Sequence, residues 1–274
     1  MTSSLPLPEN RLSRRVFVGA VATLGVAAAA GTATAAPTPI DRAVGVARLG
    51  TTVHILGRTR RGWVRVGADG TAQPTRGLGD AELNGLASTG GVLLAVGAAG
   101  AEPAVWESAD GVSWRQVTRL RGVEGHLTAV GAHGGVALAA GALLTLERAP
   151  RQRIVLRRTG SDWHTVPVRG LAHTDELTAT AVGGDADGWA LSTVDASGSL
   201  LARSVDGLGW TAEGRVADAA VKSFDDGHWV ANAMGGLTGV TGPRRAAGPT
   251  GQAVGLLDGR SYWLVAGHIV TATV

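Results

Sequence analysis

The sequence predicts an all-β chain built from repeated four-stranded sheets, and three observations carry that expectation. A module of an apolar run, a Gly turn and a second apolar run recurs after residue 43, with turn glycines at Gly50, Gly91, Gly135, Gly188, Gly227 and Gly259. Their spacings of 41, 44, 53, 39 and 32 residues sit near the roughly 40–45-residue period of a blade in a ring of sheets. Between them, short Val-, Leu-, Ala- and Trp-rich stretches alternate with Gly and Asp-Gly turns, and no window of helical length holds a 3.6-residue apolar period. One such unit cannot bury its own apolar faces, so the units must pack side by side around an axis as a β-propeller.

Each unit reads as four antiparallel strands, a to d. The glycines above mark the a–b turns, and Asp69-Gly70, Asp110-Gly111, Gly160, Asp206-Gly207 and Gly242 mark the c–d turns. Asp-Gly suits tight hairpins because both residues tolerate positive φ. The last unit has room for three strands, Gln252–Leu257, Tyr262–Val265 and Val270–Thr273, so a fourth is expected from Pro39–Arg42 at the start of the ring. The 239 residues from 36 to 274 give about 40 per unit for six four-stranded blades closed by that N-terminal strand. The short fifth unit leaves five or seven blades open.

Composition narrows function by exclusion. With no Cys, the chain has no disulfide, no cysteine-ligated zinc and no thiol nucleophile. The formal charge is only +3, and the pI of 10.4 reflects one Tyr and one Lys, Lys222, which leave little to titrate between His and Arg. Removing residues 1–35 takes away Arg11, Arg14, Arg15 and Glu9, a net of two positive charges, and leaves +1. No nucleic-acid partner is expected on that balance.

The N-terminus reads as an address. Ser13-Arg14-Arg15-Val16-Phe17 precedes an apolar, Gly/Ala-rich run to Ala30 and an Ala33-Thr34-Ala35 cleavage pattern. This resembles a twin-arginine (Tat) signal peptide, cleaved after Ala35, which implies secretion of residues 36–274 as a single propeller domain. The run is short and weakly apolar beside the ~20 residues of a spanning helix, so no stable membrane span is expected after cleavage.

Two units share a further motif: Ser108-Ala109-Asp110-Gly111-Val112-Ser113-Trp114 and Ser204-Val205-Asp206-Gly207-Leu208-Gly209-Trp210. They resemble the Asp-box (BNR) repeats of sialidase-like propellers, one residue shorter at the turn, and the ring as a whole is similar to WD40/YVTN-like propellers. The resemblance implies that Ser108, Asp110, Gly111 and Trp114, with Ser204, Asp206, Gly207 and Trp210, build a structural turn rather than a catalytic one. A sialidase would need an Arg triad, a Tyr/Glu nucleophile and an Asp acid/base. Here the only Tyr, Tyr262, lies in an apolar strand, and the family's early Arg-Ile-Pro motif does not occur.

Strand alternation puts the d–a and b–c connections on one face, where arginines collect. The d–a connections carry Arg42, Arg76, Arg121, Arg169, Arg215 and Arg244 or Arg245; the b–c segments carry Arg58, Arg60 and Arg61, then Arg148, Arg151 and Arg153. The opposite face collects Asp69, Asp110, Asp185, Asp187, Asp206, Asp225, Asp226 and Asp258. Guanidinium forks match carboxylates and phosphates bidentately, so one expectation is an anionic ligand such as an acidic glycan, a cell-wall polymer or a protein. The other is that the d–a arginines staple blades by pairing with Glu82, Glu124, Glu176 or Asp218. Asp185-Ala186-Asp187-Gly188 and Asp225-Asp226-Gly227 read as turns rather than calcium loops, the seven His do not share a helical face, and no metal or cofactor is expected. Trp106, Trp189, Trp229 and Trp263 read as inter-blade core. The expected function is an exported, non-catalytic binding module; the alternative is an exported glycosidase, other hydrolase or lyase with its site at the channel mouth.

Overall fold

The computed structural model describes residues 39–144, 152–171, 178–195, 198–216, 220–224, 228–231, 236–239, 245–247 and 251–273. Every element among them is a strand. The first blade is β1 (Arg42–Leu49), β2 (Thr52–Thr59), β3 (Gly62–Val66) and β4 (Ala72–Pro74); the second is β5 (Glu82–Thr89), β6 (Val92–Ala99), β7 (Glu102–Ser108) and β8 (Arg115–Arg119). The third is β9 (Glu124–His133), β10 (Val136–Leu144), β11 (Gln152–Thr159) and β12 (Asp162–Val166), and the fourth β13 (Thr178–Asp185), β14 (Gly188–Asp195), β15 (Gly198–Ser204) and β16 (Thr211–Val216). The fifth is β17 (Ala220–Phe224), β18 (His228–Ala231), β19 (Gly236–Gly239) and β20 (Arg245–Ala247); β21 (Gln252–Leu257), β22 (Arg260–Val265) and β23 (His268–Thr273) follow as a three-stranded sheet. All pairings are antiparallel between consecutive strands, and the first strands β1, β5, β9, β13, β17 and β21 touch one another in turn, with β21 reaching β1. This is a β-propeller.

The burial pattern explains the strand sequences. Second strands are covered on both faces by neighbouring sheets, and β6 and β10 each bury six consecutive residues, hence their unbroken Val/Leu/Ala/Gly runs. Outer strands face water, and β16, Thr-Ala-Glu-Gly-Arg-Val, is exposed almost throughout. Between the first and second blades pack Trp63, Trp106, Trp114, Leu78 and Leu83; between the third and fourth, Trp189, Trp210, Leu138 and Leu171. Each first strand also breaks register with its partner once, at the same place, leaving Val44, Asn84, Thr128, Thr180, Lys222 and Val254 without a residue opposite. Such a bulge bends and twists a strand locally.

The expected six four-stranded blades closed by an N-terminal strand need correction. Five blades have four strands, and the last sheet has three. Arg42 already opens β1, the innermost strand of the first blade, so it cannot also lie on the outer edge of β23. Ahead of it the described chain gives one backbone bond to the last sheet, from Ile40 N–H to Gly267 C=O at 3.0 Å, while Asp41 N–H bonds Arg58 C=O of its own blade at 2.8 Å, and Ile40 is buried in a cluster with Val254, Tyr262 and Leu264. A side-chain plug thus stands where a fourth strand was expected.

Candidate functional site

The bulges aim polar side chains into a central channel. Its mouth, a cavity of about 450 Å³, is lined by Arg42, Asn84, Thr128, Thr180 and Gln252 with small apolar residues between them, and the space continues along the first strands as about 310 Å³. These groups also tie blades together. Arg42 Nη2 donates to Asn84 Oδ1 at 2.8 Å, Asn84 Nδ2 to Leu127 C=O at 2.9 Å, and Gln252 Nε2 to Ala43 C=O at 3.0 Å. Thr128 and Thr180 donate within their own blades, to Ala140 C=O at 3.3 Å and Ser192 Oγ at 3.1 Å. Sequence reasoning missed this belt. A signal for it exists: one polar residue recurs at the same point of apolar first strands, in Leu83-Asn84-Gly85, Leu127-Thr128-Ala129 and Ala179-Thr180-Ala181.

The arginines do not form one patch. Arg58 lies over the Trp63 ring at 5.3 Å and donates to Ala81 C=O at 3.3 Å, so it ties its own blade to the connector that leads into β5, while Arg60 and Arg61 stand exposed on the following turn. Arg76 and Arg169 belong to connectors that dock on the next blade. Arg76 N–H bonds Val112 C=O at 2.8 Å and Arg76 C=O receives Trp114 N–H at 2.9 Å; Arg169 repeats this with Leu208 and Trp210 at 3.1 and 2.9 Å. That places both against c–d turns, away from the channel mouth, with exposed side chains. Gly77 and Gly170 make the docking possible: both have positive φ, +82° and +84°, and a Cβ would stand 1.9 and 2.1 Å from Trp114 and Trp210 carbonyl oxygens. Arg121 and Arg153 meet in a cleft between the second and third blades, and Arg215 is exposed on β16. Arg14, Arg15, Ala35, Arg148, Arg151 and the Trp229 side chain lie outside the described residues.

The expected stapling of Arg76 to Glu82 and Arg121 to Glu124 does not occur among the described ion pairs; pairing concentrates elsewhere. Arg48 binds Asp258, Arg203 binds Asp185 and Glu213, and Arg158 meets Glu107 at 3.0 Å with both side chains largely buried. The face expected to be acidic therefore carries guanidinium groups of its own. Asp185 is committed to Arg203, which removes half of one acidic turn from metal binding, and among the described residues no group of three His, Asp or Glu side chains could hold a metal.

The two repeated turns carry matching bonds. Ser108 Oγ accepts Gly111 N–H at 2.8 Å and donates to Asp110 Oδ1 at 2.9 Å, and Asp110 Oδ1 accepts the Val112 and Ser113 amides at 2.8 and 2.7 Å. Ser204 and Asp206 do the same with Gly207, Leu208 and Gly209. The Ser113 amide first, then the Val112 amide and the Ser108 hydroxyl, hold the Asp110 carboxyl down at about 2. Beside Gly111 sits His54, buried on β2 and accepting Arg65 Nε–H at Nδ1 at 3.0 Å. Burial and the Arg65 charge push its pKa below the usual value, against a smaller pull from Asp110. Tyr262 is buried in the cluster around Ile40, as are Trp106, Trp189 and Trp263 in theirs.

Neither a protein-family model nor a curated protein sequence matches the chain. Solved structures do. A gluconolactonase candidate superposes with a TM-score of 0.63 at 12% identity, covering 86% of this chain and 89% of that one. A protein of unknown function from Dyadobacter fermentans gives 0.54 at 14% identity, covering 86% and 94%. At such identities the likeness speaks for architecture alone, and what it establishes, together with the ring of first strands, is the β-propeller fold.

Proposed function

We propose that this chain is an exported, non-catalytic binding module: a twin-arginine signal in residues 1–35, then one propeller domain with two Asp-box turns that binds an anionic ligand through exposed arginines outside the cell. One observation carries the reading. Arg60, Arg61, Arg76 and Arg169 are exposed and form no ion pair among the described residues, whereas Arg48, Arg119, Arg158 and Arg203 are paired. Solvated, unpaired guanidinium groups are free to make bidentate contacts with carboxylate, sulfate or phosphate. The channel mouth supports binding over catalysis, because the polar side chains that line it are engaged in hydrogen bonds that hold blades and strands together.

The test is retention of the full chain on immobilised dextran sulfate and on an acidic-glycan array. Replacing Arg60 and Arg61 together by Ser should weaken binding about tenfold and flatten its salt dependence. Unchanged binding in that variant would overturn the proposal.

A further inference from the structure

The outer edges of the sheets are not alike. β4 is three residues long and ends in Pro74, β8 carries Arg115 and Arg119, β12 carries Asp162 and His164, β16 carries Glu213 and Arg215, and β20 begins with Arg245. Charge, proline and shortness all discourage a bare strand edge from pairing with another chain. β23, His268-Ile269-Val270-Thr271-Ala272-Thr273, has none of these devices: it runs six residues, holds no Lys, Arg, Asp, Glu or Pro, and four of its residues are β-branched, the type that favours strand pairing. It is also the edge that lacks a fourth strand. Among the described residues nothing pairs with it, since Ile40 N–H reaches only Gly267 in the preceding turn. The hairpin shows which of its groups point outward. Val265 lies opposite His268 across Ala266 and Gly267, both at positive φ, so that pair is hydrogen-bonded and the bonded pairs recur at Trp263–Val270 and Ser261–Ala272. Ile269, Thr271 and Thr273 therefore turn their N–H and C=O groups away from β22.

We propose that this edge pairs with β23 of a second copy of the chain, antiparallel about a twofold axis at Thr271, joining the two three-stranded sheets into one. Centring on Thr271 uses every outward group. Thr271 meets Thr271 of the second copy, and on either side Ile269 meets Thr273, which makes three bonded pairs of two bonds each. The side chains agree with that register. Val270, one of the large hydrophobic side chains that stand exposed among the described residues, comes to lie beside Ala272 of the second copy, and the two Thr271 side chains form a favourable cross-strand pair. Backbone pairing alone is open to any extended peptide. A second copy is favoured because both faces of the strand find small or β-branched neighbours in it, no charged side chain lies on β23, and a formal charge of only +3 per chain opposes the approach little. The strip is narrow beside a permanent interface, so the dimer belongs to the weak class, with a dissociation constant of about micromolar order.

Sedimentation equilibrium of the full chain between about 1 and 200 µM tests it. A monomer of 27.7 kDa should pass reversibly into a species of twice that mass. Thr271→Lys sets two ammonium groups opposite each other and should weaken association at least about tenfold, and Thr271→Glu should do the same with two carboxylates. An equimolar mixture of the two variants should recover the dimer, because position 271 faces itself in this register and Lys then meets Glu. Recovery on mixing also shows that both variants are folded. A parent that stays monomeric throughout the range, a dimer that persists in Thr271→Lys, or loss in both variants with no recovery on mixing would each overturn the assignment.

Discussion

Replacing Gly77 by Ala should cost far more than replacing its neighbour Gly79, although both are exposed connector glycines with positive φ. At Gly77 a Cβ would lie 1.9 Å from the Trp114 carbonyl oxygen, which the backbone can relieve only by lifting the connector off the next blade. That loses the Arg76–Val112 and Trp114–Arg76 bonds, each contributing about 1 kcal/mol, and adds about 1–2 kcal/mol for an L-residue at φ +82°. The stiffer unfolded chain returns about 0.4–1 kcal/mol, leaving a net loss of about 3 kcal/mol. At about 2–4 °C per kcal/mol for a domain of this size, the melting temperature should fall by roughly 6–12 °C. Gly79→Ala, with nothing within 4 Å of its added Cβ, carries only the backbone strain of about 1 kcal/mol. Calorimetry or urea unfolding followed by Trp fluorescence measures both. If the two variants came within about 1 kcal/mol of each other, the argument that this connector is clamped to the next blade would be refuted.

Two further expectations follow from named contacts. Asn84→Ala leaves the Leu127 carbonyl and the Arg42 guanidinium without their shared partner and should lower stability by about 1–2 kcal/mol, read as a shifted urea midpoint with an unchanged slope. Acidification should destabilise the fold in two steps. His54 has a lowered folded pKa, so the unfolded chain binds a proton first and stability falls as pH drops below about 6.5; Asp110, held at about 2, protects the fold above about 3.8 and loses that contribution as pH falls through 2. His54→Gln should remove the first step from a melting-temperature-versus-pH profile, and its persistence would assign that step to another group.

What the sequence made legible was local. The hairpins at Gly50, Gly91, Gly135 and Gly259 fall where the glycines predicted them, and Gly188 opens β14 immediately after its turn. The Ser108 and Ser204 turns close through bonds two and three residues away, so their residue types sit side by side in the chain. The positions that decided the site are not local. Arg58 is spent on Ala81, 23 residues on; Arg42 meets Asn84 across 42 residues, and Gln252 meets Ala43 across 209. A count of arginines per connector could not distinguish Arg76, whose backbone docks on the neighbouring blade, from Arg121, which borders a cleft. The missing outer strand has the same origin. Residues 39–42 look extended, and only the three-dimensional path shows them consumed by the plug and by the start of β1.

The manner in which the circle is fastened has a mechanical corollary. Elsewhere each junction between neighbouring sheets is crossed by covalent chain, but the junction of β21 with β1 is held by non-covalent contacts: the Arg48–Asp258 pair, the Gln252 amide, the Ile40 N–H to Gly267 C=O bond, and a buried cluster that joins Ile40 and Ala43 to Val254, Tyr262 and Leu264. A clasp of that kind can part without breaking any strand pairing within a sheet or stretching a linker, so the closure of the toroid depends on this buried seam staying packed.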